Sequence, residues 1–392
     1  MKLNALPVFL VFLAMGFVDA MGPFVSLAKN EFHLSTAIAA LIPFVGLSMF
    51  GLLSIPAGLL QNRKGKKFTL LLGLMVTLVG VLAASFGLST FPRFLFTVVL
   101  IGAGAAILQV AGNPIMRDVS APGKFPRNLV LGQFIKSVGS LSCPVIPAVA
   151  ARYFGASWQV IFPIYSVALL ITILSTFALR IRRDESGPQS ATLHSCLALL
   201  GNGYVLAMTA AIFLYVGAEV SVSAGIPLYL KEQFNVNIAR VGLLGTGLFF
   251  AALTVGRLFG GVILNWVAPS KSLLLSCGIS LLGLLGLFVP DKSIAISAFV
   301  LTGLGFANIF PLVFSAALER MPERSNEISG LMVTAIVGGA LLPPIMGVVA
   351  DHSTVRLSFL VPIAAIVCVG AAALFNWQGR TAVADVLPEE AG

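Results

Sequence analysis

Twelve apolar runs, each of membrane-spanning length, constrain this 392-residue chain more than any other feature. They fall at 5–28, 36–60, 68–89, 91–116, 127–152 and 157–179, and then at 203–230, 237–264, 271–289, 292–317, 325–350 and 355–376. A helix needs about 20 apolar residues to cross a hydrocarbon core about 30 Å thick. In that solvent every backbone polar group must be paired within the protein, which restricts spanning elements to helices and closed barrels. Unbroken apolar runs of this length are helical. The predicted fold class is an all-α membrane protein of 12 transmembrane helices in two pseudo-symmetric six-helix bundles. The chain is only 10% charged, whereas soluble domains are about a quarter charged. The opening stretch continues past Asp19 through "MGPFVSLA", so it reads as the first span and not as a cleaved signal peptide.

Between the sixth and seventh runs lies the one long polar stretch, "RIRRDESGPQSATLHSCLALLGNG". The predicted organisation is an N-terminal bundle at 1–180, a linker at 181–202, a C-terminal bundle at 203–378 and a tail at 379–392. The net charge of +9 does not indicate a nucleic-acid partner, because the basic residues sit in short loops between spans. With both termini placed in the cytoplasm, that side receives 15 lysines and arginines and the opposite side 7. This bias is the expected topology signal. The expected location is the bacterial cytoplasmic (inner) membrane, with both termini cytoplasmic and the chain monomeric in its bilayer.

The halves repeat. "KNEFHLSTAIAAL" at 29–41 matches "KEQFNVNIARVGL" at 231–243, "GAG" at 102–104 matches "GLG" at 303–305, and "SVGSLSCPVIPAVAAR" at 137–152 matches "IVGGALLPPIMGVVAD" at 336–351. The offsets are 202, 201 and 199. A parallel repeat of two six-helix halves with a substrate site near the midplane is a secondary-transporter plan.

A charge at the centre of a span costs at least about 2.5–3.5 kcal/mol, so the ionisable residues inside the runs form a short list. Asp19, Lys136, Glu219 and Arg257 are its members. Asp19 and Glu219 are expected to carry the coupling cation, and Glu219 also to contact substrate. Lys136 is expected to be the buried counter-ion of Asp19, since each charge lowers the cost of burying the other. At about 1.5 Å per residue, Asp19 lies roughly 21 Å and Lys136 roughly 12 Å from the cytoplasmic edge, a gap that a lysine side chain largely closes. Arg257, near a helix end, is expected to snorkel or brace a loop. Gln109, Asn113, Gln133 and Asn308 can donate and accept hydrogen bonds to sugar hydroxyls, and Phe134, Phe249 and Phe306 are candidates to cover the apolar face of a sugar ring. Pro114, Pro144, Pro311 and Pro343-Pro344 are expected to kink their helices. An intramembrane enzyme would need paired aspartates, a serine–histidine set or histidine metal ligands within the spans. His33, His194 and His352 fall in or near loops, and Cys143, Cys196, Cys277 and Cys368 have no metal-like spacing, so no catalytic residue, metal site or cofactor is expected.

These residues resemble the major facilitator superfamily. Its loop signature after the second helix is approached by Gly58-Leu-Leu-Gln-Asn62-Arg63-Lys64-Gly65-Lys66-Lys67, with Asn62 in place of the family's aspartate. A remnant follows in the second half, "GRLFGGVILNWVAPSK" at 256–271. The resemblance implies the major facilitator fold and a gating or structural role for Gly58, Arg63 and Gly65. Within the superfamily the chain is similar to the fucose, glucose and galactose permeases through "IPAG" at 55–58, "AGNP" at 111–114, "LYVGAEV" at 214–220, "GRLFGG" at 256–261 and "GGALLPPIMGVVAD" at 338–351. It departs from the fucose permease at three sites. Gly22 stands where the first helix carries an acid, Gln109 where the fourth carries an acid, and Lys136 where the fifth carries an amide. The resemblance implies uptake of a neutral monosaccharide, a hexose, by H+ or Na+ symport through alternating access. Two other transport readings stand beside it: an anionic solute such as a sugar acid, with Lys136 as the anion site, and a proton-coupled efflux pump.

Overall fold

The computed structural model describes residues 6–19, 28–29, 31–39, 41–87, 90–179, 192–236 and 246–384, and every regular element among them is helical. Eleven helices in the described residues are long and apolar enough to cross a membrane, and Leu6–Phe17 is a shorter apolar one. In chain order the principal helices are α1 (Leu6–Asp19), α2 (Leu41–Lys64), α3 (Lys66–Ser85), α4 (Phe91–Val119), α5 (Phe125–Phe154) and α6 (Ile161–Phe177). The second half continues with α7 (Gly203–Phe234), α8 (Thr246–Ile263), α9 (Pro269–Gly286), α10a (Lys292–Phe306), α10b (Ile309–Arg320), α11a (Ser325–Thr334), α11b (Gly338–His352) and α12 (Leu360–Ala384). Each lies on one of the twelve apolar runs; α1 ends and α8 begins where the described residues do, and α12 runs eight residues past its expected end. Of the sequence-defined linker, 181–191 lies outside the described residues, and Leu193–Ala198 forms a short helix capped at Thr192.

Helix starts follow local chemistry. The Asn202 side chain accepts from the backbone N–H groups of Tyr204 and Val205, and that of Asp291 from Ile294. Such caps satisfy donors that the first turn leaves unpaired. Proline occupies the first turn of α4, α5 and α9, where its missing N–H costs nothing. Gly65, at φ 89°, turns the chain from α2 into α3, a conformation that a side chain would strain.

Two compact units emerge. One comprises the described residues between Met1 and Leu199 together with Leu318–Ala340; the other comprises Leu200–Ala317 and the described residues from Leu341 on. In the first unit α4 packs against α2 and α3, α1 against α5 and α4, and α3 against α6. The α1–α5 crossing is a backbone contact: a Cβ built on Gly16 would stand 2.0 Å from the Lys136 carbonyl oxygen, and one on Gly139 would stand 2.4 Å from that of Leu13. Ser140 Oγ donates to the Gly16 carbonyl across the same crossing at 3.0 Å. The basic loop after α2 ties helix ends together. Lys66 Nζ meets Asp118 at 2.8 Å, and Lys67 Nζ donates to the carbonyls of Phe177 and Leu179 at the end of α6. A cation at a helix C-terminus satisfies unpaired carbonyls and opposes the helix dipole.

In the second unit α7 packs against α12, α9 against α10a and α12, and α8 against α10a. Its core is aromatic. Tyr229 stands edge-on to Phe299 and Phe359 with ring centroids 5.6 and 5.5 Å away, and its hydroxyl donates to the Leu287 carbonyl.

Proline shapes the helices through the carbonyl it leaves unpaired, because it has no N–H to give to the residue four positions earlier. For Pro114 that carbonyl belongs to Val110, and Ser329 Oγ donates to it at 2.8 Å. For Pro227 it belongs to Ser223, which accepts from Thr246 Oγ1 at 3.2 Å. For Pro311 it belongs to Ala307, which accepts from Arg257 Nε at 3.3 Å. Of the expected kinks, Pro114 and Pro343-Pro344 lie inside continuous helices, Pro311 follows the break between α10a and α10b, and the side chain of Pro144 lies outside the described residues. The eleventh run bends at Ala335–Val337, a 3₁₀ turn just before Gly338-Gly339, where two weak helix formers meet.

Candidate functional site

In the first unit α4 carries a buried polar face. Gln109 and Asn113 are one turn apart, which places them on the same side of the helix. Both are buried, Asn113 completely. The Gln109 side-chain carbonyl oxygen and both polar atoms of the Asn113 amide have no hydrogen-bond partner in the protein. Leaving a buried donor or acceptor unmatched costs about 1–3 kcal/mol, so three such atoms on one face mark a place built for a polar guest. On α5, Gln133 and Lys136 are also buried, and Phe134 is half-buried. Lys136 lies one turn before Gly139 at the α1–α5 crossing, and Asp19 is three residues past Gly16 on the other side of that contact. The Asp19 side chain and Gly22 lie outside the described residues.

The same unit contains the loop-signature residues. Gly58 faces α11a so closely that a Cβ there would stand 2.9 Å from the Asn326 carbonyl oxygen. Next to it Gln61 Nε2 donates to Asn326 Oδ1 at 2.6 Å, and Asn326 Nδ2 reaches Asn62 Oδ1 at 3.5 Å. Arg63 and Gly65 are exposed. Arg117 donates to the Pro322 carbonyl, and Ser195, in the short helix Leu193–Ala198, donates to Glu327 Oε1 at 2.9 Å. Arg324 bonds both Glu327 and the Ser195 carbonyl. Residues 318–340 are thus fastened to α2, α4 and the short helix by hydrogen bonds, with an uncharged amide, Asn62, at the position where the loop signature carries an acid.

The second unit gathers a different set. Tyr215 is fully buried on α7, and its hydroxyl donates to the Phe306 carbonyl at 2.9 Å. Glu219 follows one turn along α7, on the same face as Tyr215. Arg257 is buried and braces the α10a–α10b break through Ala307; its expected snorkelling or loop-bracing role is replaced by this internal one. Asn308, inside the break, donates to the Gly256 carbonyl at 3.3 Å and has an unpartnered side-chain oxygen. Phe249 and Phe306 are fully buried and pack edge-on, Phe306 also against Tyr215. They are core residues, while Phe134 keeps partial exposure.

Of the residues singled out in the sequence, Gln109 joins Asn113 on α4, Gln133 joins Lys136 on α5, Arg257 and Asn308 meet at the α10 break, and Glu219 lies on α7 one turn from Tyr215. Tyr215 and Ser329 went unremarked in the sequence. Tyr215 had one legible signal, its place four residues before Glu219. Ser329 had none, since its acceptor is 219 residues away. No group of three or more His, Cys, Asp or Glu side chains that could hold a metal occurs among the described residues.

The family model described as Major Facilitator Superfamily matches residues 8–337. The chain is 29% identical over 379 residues to a protein of Brucella abortus named glucose/galactose transporter, covering 90% of this chain and 89% of that one. It is 23% identical over 410 residues to a Haemophilus influenzae protein named L-fucose-proton symporter, covering 92% and 93%. Among solved structures it is similar to the major facilitator transporter FucP in the outward conformation, with a TM-score of 0.83 at 20% identity, covering 96% of this chain and 99% of that one.

Proposed function

This chain belongs to the Major Facilitator Superfamily, and from that premise we propose that it takes up a neutral hexose by proton-coupled symport. The buried amide face of α4 is the observation that carries the reading. Gln109 and Asn113 offer an amide donor and carbonyl acceptors without partners in the protein, and a sugar hydroxyl is both donor and acceptor. The names of the relatives, glucose/galactose transporter and L-fucose-proton symporter, support the same solute class and ion. The internal repeat supports alternating access, and the excess of basic residues on one side supports cytoplasmic termini in a bacterial inner membrane.

Asp19 with Lys136, and Glu219 in the other half, are proposed as the ion-coupling groups. A double-mutant cycle tests the first pair. If the two pair, Lys136→Gln removes the counter-ion of Asp19, so adding Asp19→Asn should restore part of the lost thermal stability; strictly additive losses would remove the pairing. Burial of Lys136 also favours a second reading, capture of a sugar acid by its ammonium.

Purified protein in proteoliposomes separates these. An inwardly directed proton gradient should drive accumulation of D-glucose or D-galactose and leave D-gluconate outside. Accumulation driven only by a sodium gradient would change the ion. Accumulation of gluconate without hexose would replace the neutral-sugar reading, and absence of flux for every solute would remove both.

A further inference from the structure

The carbonyls freed by Pro114, Pro227 and Pro311 are each held by a side chain from another helix. Pro343 and Pro344 likewise free the carbonyls of Gly339 and Ala340, but among the described residues no side chain donates to either. Pro56 lies in α2, which continues unbroken through Lys64. The eleventh run instead passes from α11a into a 3₁₀ turn at Ala335–Val337 and resumes at Gly338-Gly339. Glycine is a weak helix former, and 3₁₀ turns within helices, glycines and prolines are the places where helices bend. All three occur here in one short stretch.

Packing confines the weak stretch to a few residues. On its N-terminal side the helix is held by the first unit. Ser329 bonds the Val110 carbonyl of α4, Gly330 lies against Ser54 of α2, and a Cβ built on Gly51 of α2 would stand 3.3 Å from Val337. On its C-terminal side α11b packs on α7, with Leu342 against Gly217 and Met346 against Gly225. Between Val337 and Leu342 stand Gly338, Gly339, Ala340 and Leu341, and the division between the two compact units falls after Ala340. The repeat supplies a comparison. At its offset of 199, Gly338 and Gly339 correspond to Gly139 and Ser140 of α5. There the helix is continuous from Phe125 to Phe154, Gly139 abuts the Leu13 carbonyl, and Ser140 donates to the Gly16 carbonyl. The register that is clamped to α1 in the first half has lost its serine in the second.

We propose that Gly338–Ala340 is a hinge about which α11a swings off α2 and α4 while α11b stays packed on α7. Bending at this point is inexpensive, because the freed carbonyls of Gly339 and Ala340 have no side-chain donor to lose. The contacts that break are those of α11a, and the contacts of Leu342 and Met346 with α7 are kept. α5, clamped to α1 at the matching register, has no such hinge, so the two halves of the repeat divide the work unequally. The proposal rests on the reading of the chain as a transporter that works by alternating access.

The test uses the full chain in proteoliposomes with two pairs of spin labels at exposed positions. Glu323 and Val348 span the hinge, and Val348 with Leu228 reports on α11b against α7. When D-glucose and protons are supplied, the Glu323–Val348 distance should gain a second population and the Val348–Leu228 distance should keep one. Gln61→Ala with Ser329→Ala removes two bonds that hold α11a, and should produce the same second population without sugar. Gly338→Ala with Gly339→Ala stiffens the segment. It should keep the thermal stabilisation given by D-glucose, lose the second population and slow glucose counterflow by about tenfold. Pro343→Ala with Pro344→Ala returns N–H groups to the freed carbonyls and should act in the same way. If neither stiffened variant folds, the label distances decide. A single Glu323–Val348 distance both in the unmodified protein with glucose and in the Gln61→Ala, Ser329→Ala variant overturns the proposal. So does a Val348–Leu228 distance that changes along with it. A protein that moves no glucose, yet shows the second population in that variant with Val348–Leu228 fixed, would defeat the sugar reading and leave the hinge standing.

Discussion

Asn113 is completely buried with neither polar atom of its amide matched in the protein. On the proposed reading, a bound sugar would supply the missing partners. Asn113→Leu, a branched side chain with the same number of heavy atoms, should therefore make the sugar-free protein more stable by about 1–3 kcal/mol and abolish the stabilisation expected from D-glucose. Thermal unfolding with and without the sugar reads both effects, and a less stable variant with unchanged glucose response would make Asn113 a purely structural residue. Cys196 gives a residue-scale prediction outside the spans. Burial, with the nearby Glu327 carboxylate adding to it, pushes its thiol up to about 11. Because the thiolate is the reactive form, alkylation should keep accelerating above about pH 9, where an ordinary thiol is already mostly ionised. With the other three cysteines replaced by alanine, iodoacetamide kinetics should show no plateau there; a plateau near pH 9 would mean that the thiol is freely hydrated.

At the scale of elements, the prolines are the instructive case. Three proline-freed carbonyls are captured by side chains from other helices, and two of those captures, at Ser223 and Ala307, stay within the second unit. The third joins sequence halves: Ser329 of α11a bonds Val110 of α4. Ser329→Ala should orphan that buried carbonyl and weaken the α11a–α4 contact by about 1–3 kcal/mol. Pro114→Ala returns an in-helix N–H to Val110, so the double variant should recover most of the loss. Hydrogen exchange over Ser325–Thr334 measures it, and equal losses with and without Pro114 would show that the carbonyl is not the acceptor that matters. This pattern also marks how far the sequence could be read. The spans were legible because twenty apolar residues in a row have few alternatives in a bilayer, and the repeat was legible from three matched stretches. The position of the freed carbonyls follows from counting back four from each proline. Their partners do not, because Ser329 and Arg257 are brought to them by tertiary packing. The same holds for the association of 318–340 with the first unit, which rests on close approach at Gly58 and on a Gln61–Asn326 bond between residues 265 apart. Neither contact has a period or a charge pattern to announce it. Asn62 shows the converse: its departure from the loop signature was plain in the sequence, and the structure places it in an amide-to-amide contact with Asn326.

For the whole molecule, alternating access as proposed above would require the contact that fastens 318–340 to the first half to open and re-form in each cycle. The fastened arrangement is uncharged at its centre, Gln61 with Asn326 and Ser329 with Val110, and held at its edge by Arg324, Glu327 and Ser195. Several modest bonds of this kind would suit a contact that opens and re-forms, since each contributes only about 0.5–1.5 kcal/mol net. The most direct measurement is the distance between spin labels at Lys64 and Glu323, both exposed at this contact, in reconstituted, transport-active protein. The account predicts one short distance without substrate and a second, longer population when D-glucose and protons are supplied together. A single unchanged distance in every condition, with uptake intact, would contradict it.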